Sequence, residues 1–133
     1  MCGIVGLFLK DPSLEPQLGD MLTDMLITMT DRGPDSAGIA IYGGETAGST
    51  KLTVQSDTPD VDFDNLENDV HKAIKGKVAM TITSTHAVLQ IQSDQVEATR
   101  AFLRSDYPNV RLMSHGASLQ IYKEVGLPHD VAA

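Results

Sequence analysis

Residues 77–92 read KVAMTITSTHAVLQIQ, and whether they form one strand or two settles the architecture of the second half of the chain. Val78, Met80 and Ile82 alternate with small or polar positions, as do Leu89 and Ile91, which is the period of a strand with one covered face. A single strand of roughly 16 residues would exceed the usual length, so a hairpin turning near Ser84 to His86 is expected. Upstream, Phe63, Leu66, Val70 and Ile74 recur at helical spacing and stop at Gly76, and Leu52 to Gln55 reads as a strand before them. Downstream, Ser93 or Asp94 can cap a helix running to about Arg104, "YPN" at 107–109 breaks it, and Val110 to Met113 and Leu119 to Tyr122 follow as strands. Strand, helix, two strands, helix, strand is the order of a ferredoxin-like unit.

The first third of the chain has a different grain. Ile4, Val5, Leu7, Phe8 and Leu9 form a nearly continuous apolar run, the pattern of a strand covered on both faces. Leu14, Leu18, Met21, Leu22, Met25, Leu26 and Met29 then recur at three- and four-residue intervals, which predicts an amphipathic helix of about four turns, with Asp11 or Ser13 at its start. The methionines on this stripe read as core filler. "TDRGPDSAGIAIYGG" at 30–44 is a turn leading into a strand from Ile39 to Tyr42.

At 133 residues and 41% hydrophobic content, the chain has the size of one ordinary domain. Eighteen acidic against ten basic residues, a formal charge of −8, exclude nucleic acid and anionic membranes as partners, because either needs a basic face. The single cysteine cannot form an internal disulfide, and no apolar run approaches the ~20 residues of a membrane span. A cytoplasmic setting is expected. The remaining candidate sites are weak. His71, His86 and His115 lack ligand spacing to a cysteine or an acidic pair, so no metal is expected. "YGGETAGS" has neither the lysine nor the following helix of a phosphate loop. "DTPDVDFDNLEND" lacks the spacing of a calcium loop and reads as a solvated start to a helix.

That one cysteine, Cys2, lies directly behind the initiator methionine. Removal of Met1 would leave a free α-amine beside the thiol. With reference pKa values of about 7.7 to 8.0 and about 8.5, the amine can act near neutral pH as the thiol's own general base. Position alone favours the alternative, a small apolar side chain that merely packs.

"MCGIVG" at 1–6 followed by "DRGPDSAG" at 31–38 resembles the opening of the class II glutamine amidotransferases, the N-terminal nucleophile family. The resemblance covers residues 1–56 and implies an α+β fold: the N-terminal part of an Ntn-hydrolase αββα sandwich, here interrupted by the inserted ferredoxin-like βαββαβ unit at 57–125, with residues 126–133 starting a truncated helix. It implies Cys2 as the nucleophile toward the glutamine side-chain amide, and Arg32, Gly33, Asp35, Ser36 and Gly38 as a supporting turn. Without the family's pattern, that turn would be a plain connection with a local Arg32–Asp35 ion pair. The chain departs from the family in having no His-Thr-Arg, no Asn-Gly, and no Gly-Asp outside the first helix. Those motifs supply the substrate clamp and oxyanion hole, so the catalytic domain is expected to continue past Ala133, and the 133 residues alone to be inactive. The insertion is similar to that of the small glutamate-synthase-like subunits associated with N-methylglutamate synthase. This implies a synthase subunit as partner, with no cofactor in this chain and any flavin and iron–sulfur on the partner. The alternative is a non-catalytic binding or assembly module carrying a remnant amidotransferase start.

Overall fold

The computed structural model describes residues 3–132, and the protein is a mixed α+β chain in two compact units: residues 1–39 with 123–133, and residues 40–122. In chain order the elements are α1 (Leu18–Ile27), β1 (Ser36–Tyr42), β2 (Ser49–Gln55), α2 (Pro59–Asp62), α3 (Leu66–Ile74), β3 (Ala79–Thr83), β4 (His86–Gln92), α4 (Val96–Asp106), β5 (Arg111–Gly116), β6 (Leu119–Val125) and α5 (Pro128–Ala132).

In the 40–122 unit, four strands form an antiparallel sheet in the order β3-β4-β2-β5. With α2 and α3 following β2, and α4 following β4, this is the βαββαβ arrangement that the hairpin reading requires. The turn is Ser84-Thr85, with Thr83 opposite His86 and Ser84 at φ +53°, a left-handed conformation that ends one strand and starts the next. Leu52 and Val54 of β2 and Ala87, Leu89 and Ile91 of β4 point to one face and meet Phe63, Leu66, Val70, Ile74 and Leu103 from the helices. Every one of these is buried, the most exposed being Ile74 at 7%. α3 stops because Lys75 turns left-handed at φ +51°, ahead of Gly76. Where Thr53 pairs with Ser114 and Val54 with Leu112, Met113 is one extra residue on β5, a bulge that re-aims the strand.

The acidic run before α3 is organised. Asp62 takes hydrogen bonds from the hydroxyls of Ser56 and Thr58, and Arg111 Nη2 donates to Asp57 Oδ1 at 2.6 Å. The cap expected of Ser93 or Asp94 is replaced by a 3-10 turn, Ser93–Gln95, that runs into α4. The Ser93 hydroxyl is instead hydrogen-bonded to Thr50 Oγ1 at 2.8 Å, because the end of β4 holds it beside β2. His86, expected at a turn, is the first residue of β4 and only 3% exposed, its ring 5.4 Å from that of Tyr122.

In the other unit, the long helix begins as a 3-10 turn, Pro12–Gln17, capped by Asp11 Oδ1 accepting from Ser13 N at 2.9 Å. That bond, with the Ser13 hydroxyl, holds the Asp11 carboxyl below its ordinary pKa. Pro16 sits near the junction with α1, and α1 packs against α5, whose first residue, Pro128, is buried. None of α1 is fully buried; its methionine and leucine stripe is half-covered. The strand expected from Ile4 to Leu9 is not formed. Residues 3–9 have no regular structure, and Ile4 and Phe8 are 94% and 84% exposed. A strand is completed by hydrogen bonds to a neighbour, and among the described residues nothing pairs with this run. A two-stranded pairing of β1 with β6 completes the fold.

Candidate functional site

The site predicted from the sequence centres on Cys2, which lies outside the described residues. Gly3, the next residue, and the turn at 29–38 can be built upward from their local chemistry. α1 ends in threonines that turn back on its own carbonyls: Thr28 Oγ1 donates to Met25 O at 2.7 Å and Thr30 Oγ1 to Ile27 O at 2.6 Å. Such side-chain bonds compete with further helix, and the chain tightens into a 3-10 turn, Thr30–Arg32. Arg32 N then donates to Met29 O at 2.9 Å and Gly33 N to Thr30 O at 3.2 Å. Pro34 disfavours helix at the preceding residue, and Gly33 is accordingly extended at φ −159°.

The turn is fastened at two further points. Asp35 O accepts from Gly126 N at 3.1 Å, and Gly126 sits at φ +146°, a conformation in which only glycine is unstrained. At the other point, Gly3 lies so close to the Met29 methyl that a Cβ there would collide with it, and the same Cβ would lie 3.4 Å from Arg32 Cβ. The Met29 methyl is the end of a flexible side chain that can give way, so the close seating of Gly3 is a packing contact and not the demand of a special backbone angle. Sequence reasoning took Met29 as generic core filler; its specific contact with Gly3 has no signature in the periodicity.

Arg32, Asp35, Ser36 and Gly38 are exposed, and Gly33 is half-buried. Arg32 and Asp35 form no ion pair with each other among the described residues. The turn therefore supplies shape and hydrogen-bonded anchorage, and its described side chains form no nucleophile–base pair with one another. Nor do three or more histidine, cysteine or acidic side chains gather there in a group that could hold a metal ion. No helix among the described residues is long and apolar enough to cross a membrane.

Polar structure that the sequence did not disclose lies in the 40–122 unit. Tyr107 OH donates to Asp69 Oδ2 at 2.8 Å between α3 and α4. Burial, and then the Asp69 carboxylate, push the Tyr107 phenol up to about 12; the same bond, with help from Lys72, lowers the Asp69 carboxyl. Tyr122 is also raised, by burial.

An α+β chain with a seated glycine behind its only cysteine and an anchored Arg-Gly-Pro-Asp-Ser turn is the class of molecule the amidotransferase resemblance describes. The comparisons with known proteins agree at that level. The chain is 58% identical, over 134 aligned positions covering 100% of its length, to the glutamine amidotransferase-like protein GlxB of Rhizobium meliloti. A putative glutamine amidotransferase of Methanothermobacter thermautotrophicus is 57% identical over 44 residues, 33% of this chain and 14% of that protein. The chain spans 44% of the length of the Rhizobium protein. No protein-family model matches. These likenesses support a glutamine amidotransferase family for the chain.

Proposed function

We propose that the chain is the N-terminal part of a class II glutamine amidotransferase subunit in which Cys2, freed by removal of Met1, is the nucleophile. The observation that carries this reading is the seating of Gly3 against Met29 and Arg32. It draws together the two motifs, at 1–6 and 31–38, on which the resemblance rests.

In the proposed reaction Cys2 Sγ attacks the side-chain amide carbon of glutamine while the thiol proton passes to the Cys2 α-amine. The C–N bond then breaks, and ammonia departs with that proton, leaving a γ-glutamyl thioester. Water adds to the thioester carbonyl, glutamate leaves and the thiol is restored. Arg32, Gly33, Asp35, Ser36 and Gly38 act as a supporting turn and make no bond to substrate. Ammonia passes to a separate synthase subunit resembling glutamate synthase, and any flavin or iron–sulfur chemistry belongs to that partner. The family's substrate clamp and oxyanion donors have no counterpart in these 133 residues, and loss of even one such donor costs about 3 to 4 kcal/mol in transition-state stabilisation. Residues 1–133 alone are accordingly expected to release no ammonia from glutamine.

Cys2→Ala in the full-length protein tests the reading. The expected result is loss of glutamine hydrolysis with an unchanged circular dichroism spectrum. Retention of a tenth of the parent rate or more would exclude Cys2 as nucleophile.

A further inference from the structure

β3 and β4 pair from Ala79 opposite Gln90 to Thr83 opposite His86, yet β4 runs on to Gln92, held only by β2 through Thr50 and Ser49. Lys77 and Val78, which would continue the β3 register, lie outside the strand. A cavity of about 670 Å³ opens where the two strands part, within the range of small-molecule sites. Val78 and Ala79 are among its apolar walls, and His71, Lys77, Gln90 and Gln92 bring polar groups to it.

Its charge is inverted relative to the rest of the molecule. The chain carries −8 with eighteen acidic residues, but no aspartate or glutamate lines this cavity. Lys77 has no ion-pair partner among the described residues. His71 is held in place: its Nδ1 lies 2.5 Å from Gly76 O. A carbonyl can only accept, so Nδ1 carries the hydrogen and Nε2 is the ring atom left for a ligand. An ammonium, an imidazole and two side-chain amides around apolar walls match a small anion with a carbon stem.

We propose that this cavity binds a small carboxylate of amino-acid size, its carboxylate on Lys77 and its stem against Val78 and Ala79. The site is independent of the chemistry proposed for Cys2, and its lining comes entirely from residues 47–92.

The test is a titration of the ¹⁵N-labelled protein with sodium glutamate, against sodium chloride at equal ionic strength, read by amide chemical shifts. The expected result is saturable shifts confined to residues 47–49, 71–79 and 90–92, half-complete near about 1 mM. Lys77→Met should bind about tenfold more weakly, with Lys77→Arg restoring most of the affinity. Lys77 is exposed outside regular structure, so neither variant endangers the fold. Shifts that fail to saturate, that chloride reproduces, that centre on Gly3 and residues 29–38, or that persist undiminished in Lys77→Met would each overturn the proposal.

Discussion

Helices α1 and α3 are both amphipathic, yet the one richer in apolar residues is the less covered. Six of the ten residues of α1 are Leu, Met or Ile, and none of the ten is buried. α3 has Leu66, Val70, Ala73 and Ile74 among nine, and three of these four are buried. The difference lies in what each meets. α3 faces a four-stranded sheet and α4 in one continuous core, whereas α1 packs on the five-residue α5 and its own preceding turn. An apolar stripe states which face seeks cover; stabilisation comes only from area removed from water.

The comparison breaks most readily by paired truncation. Leu66→Ala, at a side chain of α3 that is 0% exposed, should cost about 2 to 5 kcal/mol. Met25→Ala, on the half-covered stripe, should cost about 1 kcal/mol or less. Urea denaturation checks both, and equal costs would mean that α1 is as well packed as α3. A second, smaller effect concerns the sheet face opposite the helices, where Thr53 is buried and its hydroxyl has no hydrogen-bond partner among the described residues. Thr53→Val should leave stability unchanged or raise it by about 1 kcal/mol, because an unmatched buried hydroxyl is a penalty. A loss of stability on the same denaturation curve would reveal a partner for that hydroxyl.

Smaller again is the pH dependence of the α3–α4 contact. Tyr107 has its folded-state pKa raised from 10.0 to about 12, so the unfolded chain loses the proton first. The stability tied to keeping this buried phenol protonated is present from neutral pH up to 10 and falls as the pH rises toward about 12. Tyr107→Phe should flatten the melting temperature over that window, and an unchanged slope would remove the bond from the account. The smallest effect is at the N-terminal run: Ile4→Ser should shift stability by less than about 0.5 kcal/mol, since Ile4 is 94% exposed. A larger loss on thermal unfolding would show that the run is covered in solution.

Where local pattern and tertiary partners coincide, the sequence was a sufficient guide. The hairpin at Ser84-Thr85 and the α3 stripe both follow from spacing and turn chemistry. The apolar run at Ile4 to Leu9 was read as a strand because its composition fits one, but composition supplies no pairing partner. The burial of His86 escaped because its position behind a turn conceals the strand it begins and Tyr122 above it. For the candidate site, residues 31–35 are legible as a turn, whereas Ser36 and Gly38, expected in that turn ahead of a strand from Ile39, already belong to β1. The turn's fastening, with Gly3 on Met29 and Asp35 on Gly126, joins residues too far apart in sequence for periodicity to register.

The central claim is that Cys2 becomes the first residue and attacks a glutamine amide. Peptide mass analysis of the full-length protein, purified from its native host and treated with a glutamine-like alkylating agent, tests this most directly. The account predicts an N-terminal peptide that lacks Met1 and carries one adduct on Cys2, with labelling suppressed by excess glutamine. An N-terminal peptide that retains Met1, or that lacks it but leaves Cys2 unlabelled, would contradict it.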